Sequence, residues 1–458
     1  MAEGSLGAPI RHPLAWQEAD FYDRDKLDAE MRRVFDICHG CRRCFNLCDS
    51  FPRLFDLIDN SATGELDAVD SAGFGAVVDA CTLCDMCFMT KCPYVPPHEF
   101  NLDFPHLMLR YRAVDLNEGK VPFVERQLKE TDRNGKLGSA LAPLANWATK
   151  ADNALTRPML ERLANVHREA VLPRYDRRTL TDLAAIAKVP VDNLAPAHGR
   201  KAVLFATCFC NYNNTAIGTA AQSVLARNGV LTEVAYPGCC GMPQLEHGDI
   251  ASVAASARKI AAEMKSWIDN GHDIVALVPS CSLMLKYEWP LILPADEDVQ
   301  RLSRATRDIS EYIVDIARKE GLAKGLMPLD GDVTIHISCH SRAQNMGQKA
   351  ADLLRLLPDT KVQVIERCSG HGGAWGVMKD NFEVALKVGR PVARQAAENK
   401  SAYVVSECPL ARDHIVQSMD RLGADVAAVR TFTHPIELMA ESYGIRHAGK
   451  EGDDDVKA

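Results

Sequence analysis

The sequence predicts an α-helical N-terminal domain followed by a duplicated α/β region built on parallel β-sheet. Three observations lead to this fold class. Apolar residues before residue 130 recur at helical spacing, short apolar runs alternate with helical stretches after Lys201, and cysteines in the two halves of that later region repeat at a nearly constant offset. The 458 residues are enough for two or three domains, and a hydrophobic content of 47% is ordinary for a globular protein.

The first domain, residues 1–130, is expected to be helical because LDAEMRRVFDIC and FPHLMLRYRAVDL place apolar residues on one helical face. Residues 131–198 are also mostly helical in pattern but contain five prolines, so we interpret them as a helical connector. The acidic stretch KEGDDDVKA at the end of the sequence predicts a tail over residues 447–458.

The α/β region divides into a first domain, residues 199–325, and a second domain, residues 326–446. Its apolar runs alternate with helical stretches such as ASARKIAAEMKSWIDNG, which is the βαβ pattern of a parallel sheet with covering helices. The runs expected to form strands are AVLFAT, LTEVAYP, DIVALVPS, VTIHIS, KVQVIER and AYVVSE.

Eight of the 16 cysteines fall in two short runs of the helical domain, CHGCRRCFNLC at residues 38–48 and CTLCDMCFMTKC at residues 81–92. The arginines inside the first run argue against cysteines buried only for packing. The start of the sequence shows no secretory signal, so a reducing cytosol is expected, where disulfides are rare. Zinc sites usually have two cysteine pairs separated by a longer loop, whereas three cysteines at two-residue spacing with a fourth just after match the bacterial ferredoxin run.

The two runs therefore predict two 4Fe-4S clusters, each of which takes its fourth ligand from the other run, as in two-cluster ferredoxins. One predicted ligand group is Cys38, Cys41, Cys44 and Cys92. The other predicted ligand group is Cys48, Cys81, Cys84 and Cys87. Structural zinc is the alternative. The side chains of Arg42, Arg43 and Lys91 either offset the negative charge of the clusters or lie on a solvated surface.

Seven of the other eight cysteines follow the predicted strands, and the carboxyl ends of parallel strands share one edge of the sheet. The first half contributes Cys208, Cys239, Cys240 and Cys281, enough for a further cluster. The second half contributes Cys339, Cys368 and Cys408 at offsets of 131, 129 and 127 residues. The alternative is a duplicated fold with cysteines kept as buried packing residues.

The two halves are unequal. In the second half, Ser369 occupies the position equivalent to Cys240. Cys210 has no counterpart in the second half. The second half is therefore expected to hold a degenerate site or to complete a site shared with the first. His340 and His371 either supply a nitrogen ligand or serve as hydrogen-bonding structural residues.

These residues resemble a known family. With the two cysteine runs, the motifs CFCNYNN, GCCGMP, SCSLMLKYEWP, SCHSRAQNMG and RCSGHGGAWG are similar to iron–sulfur subunits in which a two-cluster ferredoxin precedes tandem cysteine-rich CCG domains. That family includes the C subunit of anaerobic glycerol-3-phosphate dehydrogenase, the iron–sulfur subunit of glycolate oxidase, and heterodisulfide reductase.

The resemblance to heterodisulfide reductase implies noncubane iron–sulfur clusters that cleave a disulfide. Met284 and Ala411 stand where that family's C-x-x-C motif has its second cysteine. The resemblance therefore implies one further noncubane cluster at most, in the first half.

The leading functional hypothesis is an iron–sulfur electron-transfer subunit, because no nucleotide-binding G-x-G-x-x-G or P-loop is present to bind a flavin or nicotinamide. A flavin dehydrogenase or a rubrerythrin-like di-iron protein would lie on one side, and a quinone, redox protein or thiol acceptor on the other. The second hypothesis is a disulfide or thiol reductase whose catalytic residues are Cys208, Cys239, Cys240 and Cys281. The third is a zinc-binding module without redox activity.

The composition bears on the other partners. The net charge of -8 gives no general attraction to nucleic acid, and no stretch of 18 apolar residues predicts a transmembrane segment. We expect a cytoplasmic protein that reaches the inner face of the membrane, if at all, through a partner.

Overall fold

The computed structural model describes residues 9–445, so the predicted acidic tail at 447–458 lies outside the described residues. Up to residue 200 the described chain is helices and connecting segments, as expected for the first domain. The helices are α1 Arg24–Cys41, α2 Ser50–Asp59, α3 Phe74–Asp79, α4 Phe104–Asn117, α5 Phe123–Leu128, α6 Thr131–Ala140, α7 Ala142–Thr149, α8 Thr156–Ala164 and α9 Leu180–Ile186.

Helices α1 and α4 form the centre of the N-terminal domain. Each begins at an aspartate whose side chain accepts a hydrogen bond from a backbone N–H of the first turn, Asp23 for α1 and Asp103 for α4. Their apolar faces meet, and the rings of Phe35 and Phe104 lie 6.1 Å apart. Helix α1 ends at Arg42 in the left-handed conformation, which turns the chain through the first cysteine run.

Two parallel sheets follow, which confirms the predicted α/β duplication. The first sheet has the strand order β2-β1-β3-β4 and the second has the order β6-β5-β7. The strands are β1 Lys201–Phe205, β2 Leu231–Ala235, β3 Asp273–Ala276, β4 Thr306–Asp308, β5 Val333–His336, β6 Val362–Ile365 and β7 Tyr403–Ser406. The covering helices are α10 Cys208–Tyr212, α11 Thr215–Arg227, α12 Met242–Glu246, α13 Ile250–Asp269, α14 Pro279–Leu283, α15 Trp289–Ile292, α16 Glu297–Ala305, α17 Ile309–Lys319, α18 Cys339–Ala343, α19 Lys349–Leu354, α20 Phe382–Asn399, α21 Pro409–Arg421 and α22 Pro435–Ser442.

Strand β4 was not among the six predicted strands. It has three residues, Thr306–Asp308, and pairs with β3 at the edge of the first sheet. Its sequence, TRD, is polar and lies between two helical patterns, so neither alternation nor an apolar run marks it. Its position in the sheet comes from the flanking helices, and Asp308 itself caps α17.

The N-terminal domain and the first α/β domain share one hydrophobic core. One continuous cluster of buried side chains runs from Phe35 and Leu54 to Cys240 and Trp289. At this contact Gly248 has a φ of +76°, and a Cβ atom there would lie 2.4 Å from the backbone N of Ala113 in α4. Only glycine allows the two backbones to approach so closely. Among the described residues, no helix has both the length and the apolar character needed to span a bilayer.

Arg11 joins three parts of the chain through buried ion pairs. Its guanidinium lies 2.8 Å from Asp85 in the second cysteine run, 2.7 Å from Asp103 at the start of α4, and 3.1 Å from Glu288 of the first α/β domain. Burial alone would raise the pKa of Asp103, but Arg11 and His106 lower it from 3.8 to about 2. Because the folded pKa is depressed, this stabilisation is present above pH 3.8 and is lost as the pH falls towards 2.

We predict that Arg11→Met lowers the free energy of unfolding by about 3–5 kcal/mol, because it leaves buried carboxylates without their cation. Urea denaturation at neutral pH measures the change. The matched control is Arg33→Met, which removes a pair with the more exposed Glu30 and should cost less than about 1 kcal/mol. Equal losses in the two variants would contradict this role of Arg11.

Candidate metal centre

The first group of four thiols lines a single pocket of the N-terminal domain. Its cysteines are Cys38, Cys41, Cys44 and Cys92. The first two lie in the last turns of α1, the third follows the left-handed turn at Arg42, and the fourth comes from the end of the second run. The aromatic rings of Phe51, Phe55 and Tyr94 help to line this pocket.

The charges around this group favour thiolate ligands once metal is bound. Burial and the neighbouring cysteines raise the pKa of Cys44 to about 12, while Lys91 and Arg43 act in the opposite direction. Arg42 does not take part, since its Nη1 donates to Asp59 at 2.9 Å on the outer surface. Two of the three cations singled out in the sequence thus lie beside the thiols.

The second group lies directly beside the first. Its cysteines are Cys48, Cys81, Cys84 and Cys87. Burial raises the pKa of Cys87, and the other three members of the group and Cys44 of the first group raise it further. The backbone N–H groups of Ser50 and Phe51 donate to Cys48 and lower its pKa, although burial and the neighbouring thiols raise it overall. N–H···S bonds of this kind help to set the reduction potential of an iron–sulfur cluster.

The backbone around Cys84 adopts an unusual conformation. Leu83 and Asp85, on either side, have φ values of 47° and 62°, in the left-handed region that non-glycine residues rarely adopt. Such conformations cost about 1–3 kcal/mol each and persist only where the surroundings enforce them. The ion pair between Arg11 and Asp85 is one such restraint, so the segment is held in the shape that presents its cysteines.

Arg112 of α4 fixes the second run against the first α/β domain. Its guanidinium donates to the carbonyl oxygens of Val78 at 2.7 Å, of Glu246 at 2.9 Å, and of Cys81. Burial raises the pKa of Glu246 to about 7, although Arg112 acts to lower it. The sequence analysis missed Arg112, since a lone arginine on an apolar helix carries no signal for this contact.

A third group lies at the carboxyl ends of the strands of the first sheet, where the sequence analysis placed it. Its cysteines are Cys208, Cys239, Cys240 and Cys281. The sulfurs of Cys208 and Cys239 are 3.8 Å apart, and the thiol of Cys240 interacts with both Cys239 and Cys281. Three members are almost completely buried, with exposures of 5% for Cys239, 2% for Cys240 and 4% for Cys281.

Contacts within the third group lower the pKa of Cys239. The side-chain interactions with Cys208 and Cys240 account for this shift, although burial acts in the opposite direction. Its backbone N–H donates to Asp132 at 3.2 Å, and the hydroxyl of Tyr236 donates to the same carboxylate. Cys210 packs in a different hydrophobic cluster from these four cysteines, and burial raises its pKa. The sequence analysis missed Asp132, which lies in the predicted connector.

The second α/β domain brings two of its three cysteines together. Cys339 begins α18, Cys368 follows β6, and their thiols hydrogen-bond each other. The hydrogen bond from Cys339 lowers the pKa of Cys368 to about 7. Burial raises the pKa of Cys408 to about 11, and the charged groups that act on this thiol are Asp413 and Glu407.

The two histidines singled out in the sequence contact neighbouring side chains. Nδ1 of His340 is 2.8 Å from the hydroxyl of Ser280, and this imidazole also bonds to the backbone of Leu83. His371 is buried near His414, with ring centres 6.2 Å apart, and burial lowers the pKa of His371 to about 3. His340 thus connects the two α/β domains with the second cysteine run.

The donor chemistry of the first two groups fits iron–sulfur cubes. Each offers four thiols, one for each iron of a cube, from two different segments of the chain. In the described part of the chain, no three His, Cys, Asp or Glu side chains are close enough to coordinate one single metal ion. Metal binding would release protons, because the buried thiols have raised pKa values in its absence.

Comparison with known proteins identifies the α/β region. The sequence pattern of the CCG cysteine-rich domain matches residues 202–286 and again residues 333–410. The chain carries two CCG domains. The first match contains the third thiol group, and the second contains the pair Cys339 and Cys368. The cysteines within the matched regions are therefore the ones that follow the strands of the two sheets.

Curated relatives extend the comparison to the helical part. The C subunit of anaerobic glycerol-3-phosphate dehydrogenase from Escherichia coli K12 is 26% identical over 324 residues, which are 69% of this chain and 76% of that protein. Lactate utilization protein A from Geobacillus thermodenitrificans is 29% identical over 44% of this chain and 82% of its own length. An uncharacterized iron–sulfur protein from Methanocaldococcus jannaschii is 27% identical over 56% of this chain and 49% of its own.

These similarities confirm the resemblance to CCG-domain iron–sulfur proteins that the sequence motifs indicated. They support iron–sulfur clusters as the cofactor class of this chain. They also support an oxidoreductase role in electron transfer.

We predict that Arg112→Met loosens the contact between the second cysteine run and the first CCG domain. Each buried carbonyl left without its donor should cost about 1–3 kcal/mol. Hydrogen exchange followed by mass spectrometry should show faster exchange in residues 78–85 and 242–250.

The control for this experiment is Arg110→Met, since Arg110 donates to the carbonyls of Asp20 and Phe21 on the outside of the same helix. Its loss should leave exchange in both segments unchanged. The same increase in both variants would show that Arg112 has no special place at this contact.

Proposed function

We propose that this protein is an electron-transfer subunit of an oxidoreductase and carries single electrons through two 4Fe-4S clusters in its helical domain. Cys38, Cys41, Cys44 and Cys92 hold one cluster, and Cys48, Cys81, Cys84 and Cys87 hold the other. The clusters supply one-electron chemistry, while the chain positions them, buries them and shields them from water.

The observation that carries this proposal is the crossed grouping of the eight thiols. Cys92 lies with three cysteines of the first run, and Cys48 lies with three of the second. Cys44 of the first group acts electrostatically on Cys87 of the second, so the two groups are neighbours. Two cubes this close pass electrons directly, whereas a structural metal site needs no such partner.

The third thiol group extends the path into the first CCG domain. We propose that Cys208, Cys239, Cys240 and Cys281 hold a further, noncubane iron–sulfur cluster. Trp289 donates to the carbonyl oxygen of Cys240 at 3.0 Å, within the core that this domain shares with the helical domain. A shared core keeps the distance between the thiol groups fixed, as electron transfer requires.

A partner protein is needed at each end of this path, and the surface offers one candidate contact site. Helices α6, α7 and α8 expose a set of large apolar side chains. These are Leu137, Leu141, Leu144, Trp147, Leu155, Met159 and Leu163, each more than half exposed. Exposed apolar patches often mark an interaction site, and we propose these side chains as the contact for a partner. Two of the relatives are named as a dehydrogenase subunit and a lactate utilization protein, which favours a partner dehydrogenase.

We propose a flavin dehydrogenase as the electron donor, with a rubrerythrin-like di-iron protein as the alternative. A quinone, a redox protein or a thiol compound is the partner at the other end. Contact with a quinone would place the protein at the inner face of the membrane through its partner.

A disulfide reductase acting at the third thiol group is the other function that the family suggests. The burial of this group favours electron transfer instead, because a disulfide substrate must reach the reacting sulfur or iron. Three of its four cysteines are at most 5% exposed.

We predict that alanine substitutions in the helical domain sort by crossed group rather than by run. Cys92→Ala should lose the same electron paramagnetic resonance signal as Cys38→Ala. Cys48→Ala should lose the same signal as Cys84→Ala. Each variant should keep about half of the eight irons of the two cubes. If Cys92→Ala instead matched Cys84→Ala, each run would hold its own cluster and the crossed assignment would be wrong.

We predict that Cys240→Ser removes an iron–sulfur signal beyond those of the two cubes and abolishes electron delivery to an acceptor. The two cube signals should stay, because serine fills nearly the same volume in the shared core. Cys210→Ser is the matched control, since Cys210 is equally buried and lies outside the thiol group. Full iron content and full turnover in Cys240→Ser would make the CCG domains a scaffold only.

A further inference from the structure

The second CCG domain places two thiols together where the first places four. Cys339 and Cys368 hydrogen-bond each other. Ser369 stands where the first domain has the second of its two adjacent cysteines. The charged neighbours of Cys408 are Asp413 and Glu407. A 4Fe-4S cube needs four thiolate ligands. Two cysteine thiols in contact are what a disulfide requires.

The same pair touches the second thiol group of the helical domain. The thiol of Cys339 hydrogen-bonds Cys84 as well as Cys368. Cys84 therefore joins the pair to the cluster that this group is proposed to hold.

Several contacts fix the pair in this position. His340, next to Cys339, bonds both to the backbone of Leu83, next to Cys84, and to Ser280. On the other strand end, a Cβ atom on Gly372 would lie 2.6 Å from the Thr82 side chain, so the loop after Cys368 lies directly against the second run. The residues on both sides of the contact are thus held together by independent interactions.

The loop that carries Cys368 is shaped to present its sulfur. The backbone N–H of Gly370 donates to Sγ of Cys368 at 3.4 Å. Gly370 has a φ of +80°, and a Cβ atom there would lie 2.0 Å from the carbonyl oxygen of Ala385 in α20. A side chain at this position would displace the loop, so glycine is required for the observed approach of the two thiols.

We propose that Cys339 and Cys368 form a redox-active dithiol–disulfide couple that exchanges electrons with the iron–sulfur cluster bound through Cys84. This inference rests on the proposed function, because it needs that cluster as its electron donor or acceptor.

The reaction balances with the centres already assigned. The two thiols lose two protons and two electrons, and one S–S bond forms between Cys339 and Cys368. The reverse step takes up two electrons and two protons and breaks that bond. The electrons move one at a time through Cys84. Reduction of a disulfide takes two electrons, and the two cubes together can hold two. Cys339 and Cys368 are both partly exposed, so either sulfur is available to an external thiol or disulfide compound.

The test maps thiols in the anaerobically purified, cluster-containing full chain. The protein is equilibrated in buffers of reduced and oxidised dithiothreitol, trapped with N-ethylmaleimide, digested and analysed by mass spectrometry. We expect both thiols to be alkylated in the reducing buffers and a single Cys339–Cys368 disulfide in the oxidising ones. The same samples are examined by electron paramagnetic resonance after brief dithionite reduction, and the signal of the cluster at Cys84 should shift with the state of the pair.

Two variants sharpen this test. Cys368→Ser should lose the disulfide and the signal shift but keep the iron content and both cube signals. Cys210→Ser should behave as the wild type in all three measurements. Loss of an iron–sulfur signal in Cys368→Ser would make Cys368 a cluster ligand and overturn the inference. If that variant does not fold, the thiol map of the wild type decides alone.

The outcomes separate this inference from the proposed function. Wild-type protein with both cube signals but no Cys339–Cys368 disulfide at any buffer ratio contradicts the dithiol couple and leaves the electron-transfer function standing. Anaerobic wild-type protein without iron–sulfur signals contradicts the function and the dithiol couple together.

Discussion

The structure depends on holding the segment from Cys81 to Cys92 in one fixed shape between three parts of the molecule. This segment gives thiols to both groups of the helical domain, and its Cys84 also contacts the second CCG domain. Two of its residues, Leu83 and Asp85, have the left-handed backbone conformation, which an isolated peptide would rarely adopt. Its shape is therefore a product of the contacts around it, with Arg11, Arg112 and His340 each supplying one.

Those three contacts come from three different regions of the sequence. Arg11 belongs to the N-terminal segment, Arg112 to α4, and His340 to the second CCG domain. Each is partly buried and acts through charge or through hydrogen bonds to the backbone, interactions that are strong where water is excluded. The consequence is that Cys84 and Cys368, which are 284 residues apart in the sequence, both lie beside Cys339.

Duplication with divergence gives the two CCG domains different sets of cysteines at equivalent strand ends. The first domain follows its strands with four cysteines, which gather into a buried group beside Asp132 and Trp289. In the second domain, Ser369 stands in place of one cysteine, and Cys339 and Cys368 form a pair. The fold keeps the place where thiols meet, while the number of thiols at that place decides whether it suits a cluster or a dithiol.

The sequence by itself determined the fold class and predicted which cysteines would lie together. Periodicity showed the helices and six of seven strands, because amphipathic and apolar patterns follow directly from burial on one face. Ligand spacing in the two runs indicated the crossed grouping, and strand-end positions indicated the gathering of Cys208, Cys239, Cys240 and Cys281. Only the tertiary structure decided that the helical domain and first CCG domain share a core, that Asp132 and Arg112 lie against the thiols, and that Cys339 reaches Cys84. These contacts join segments that are distant in sequence. Local sequence patterns show which face of a helix or strand is buried, but not which other face it packs against.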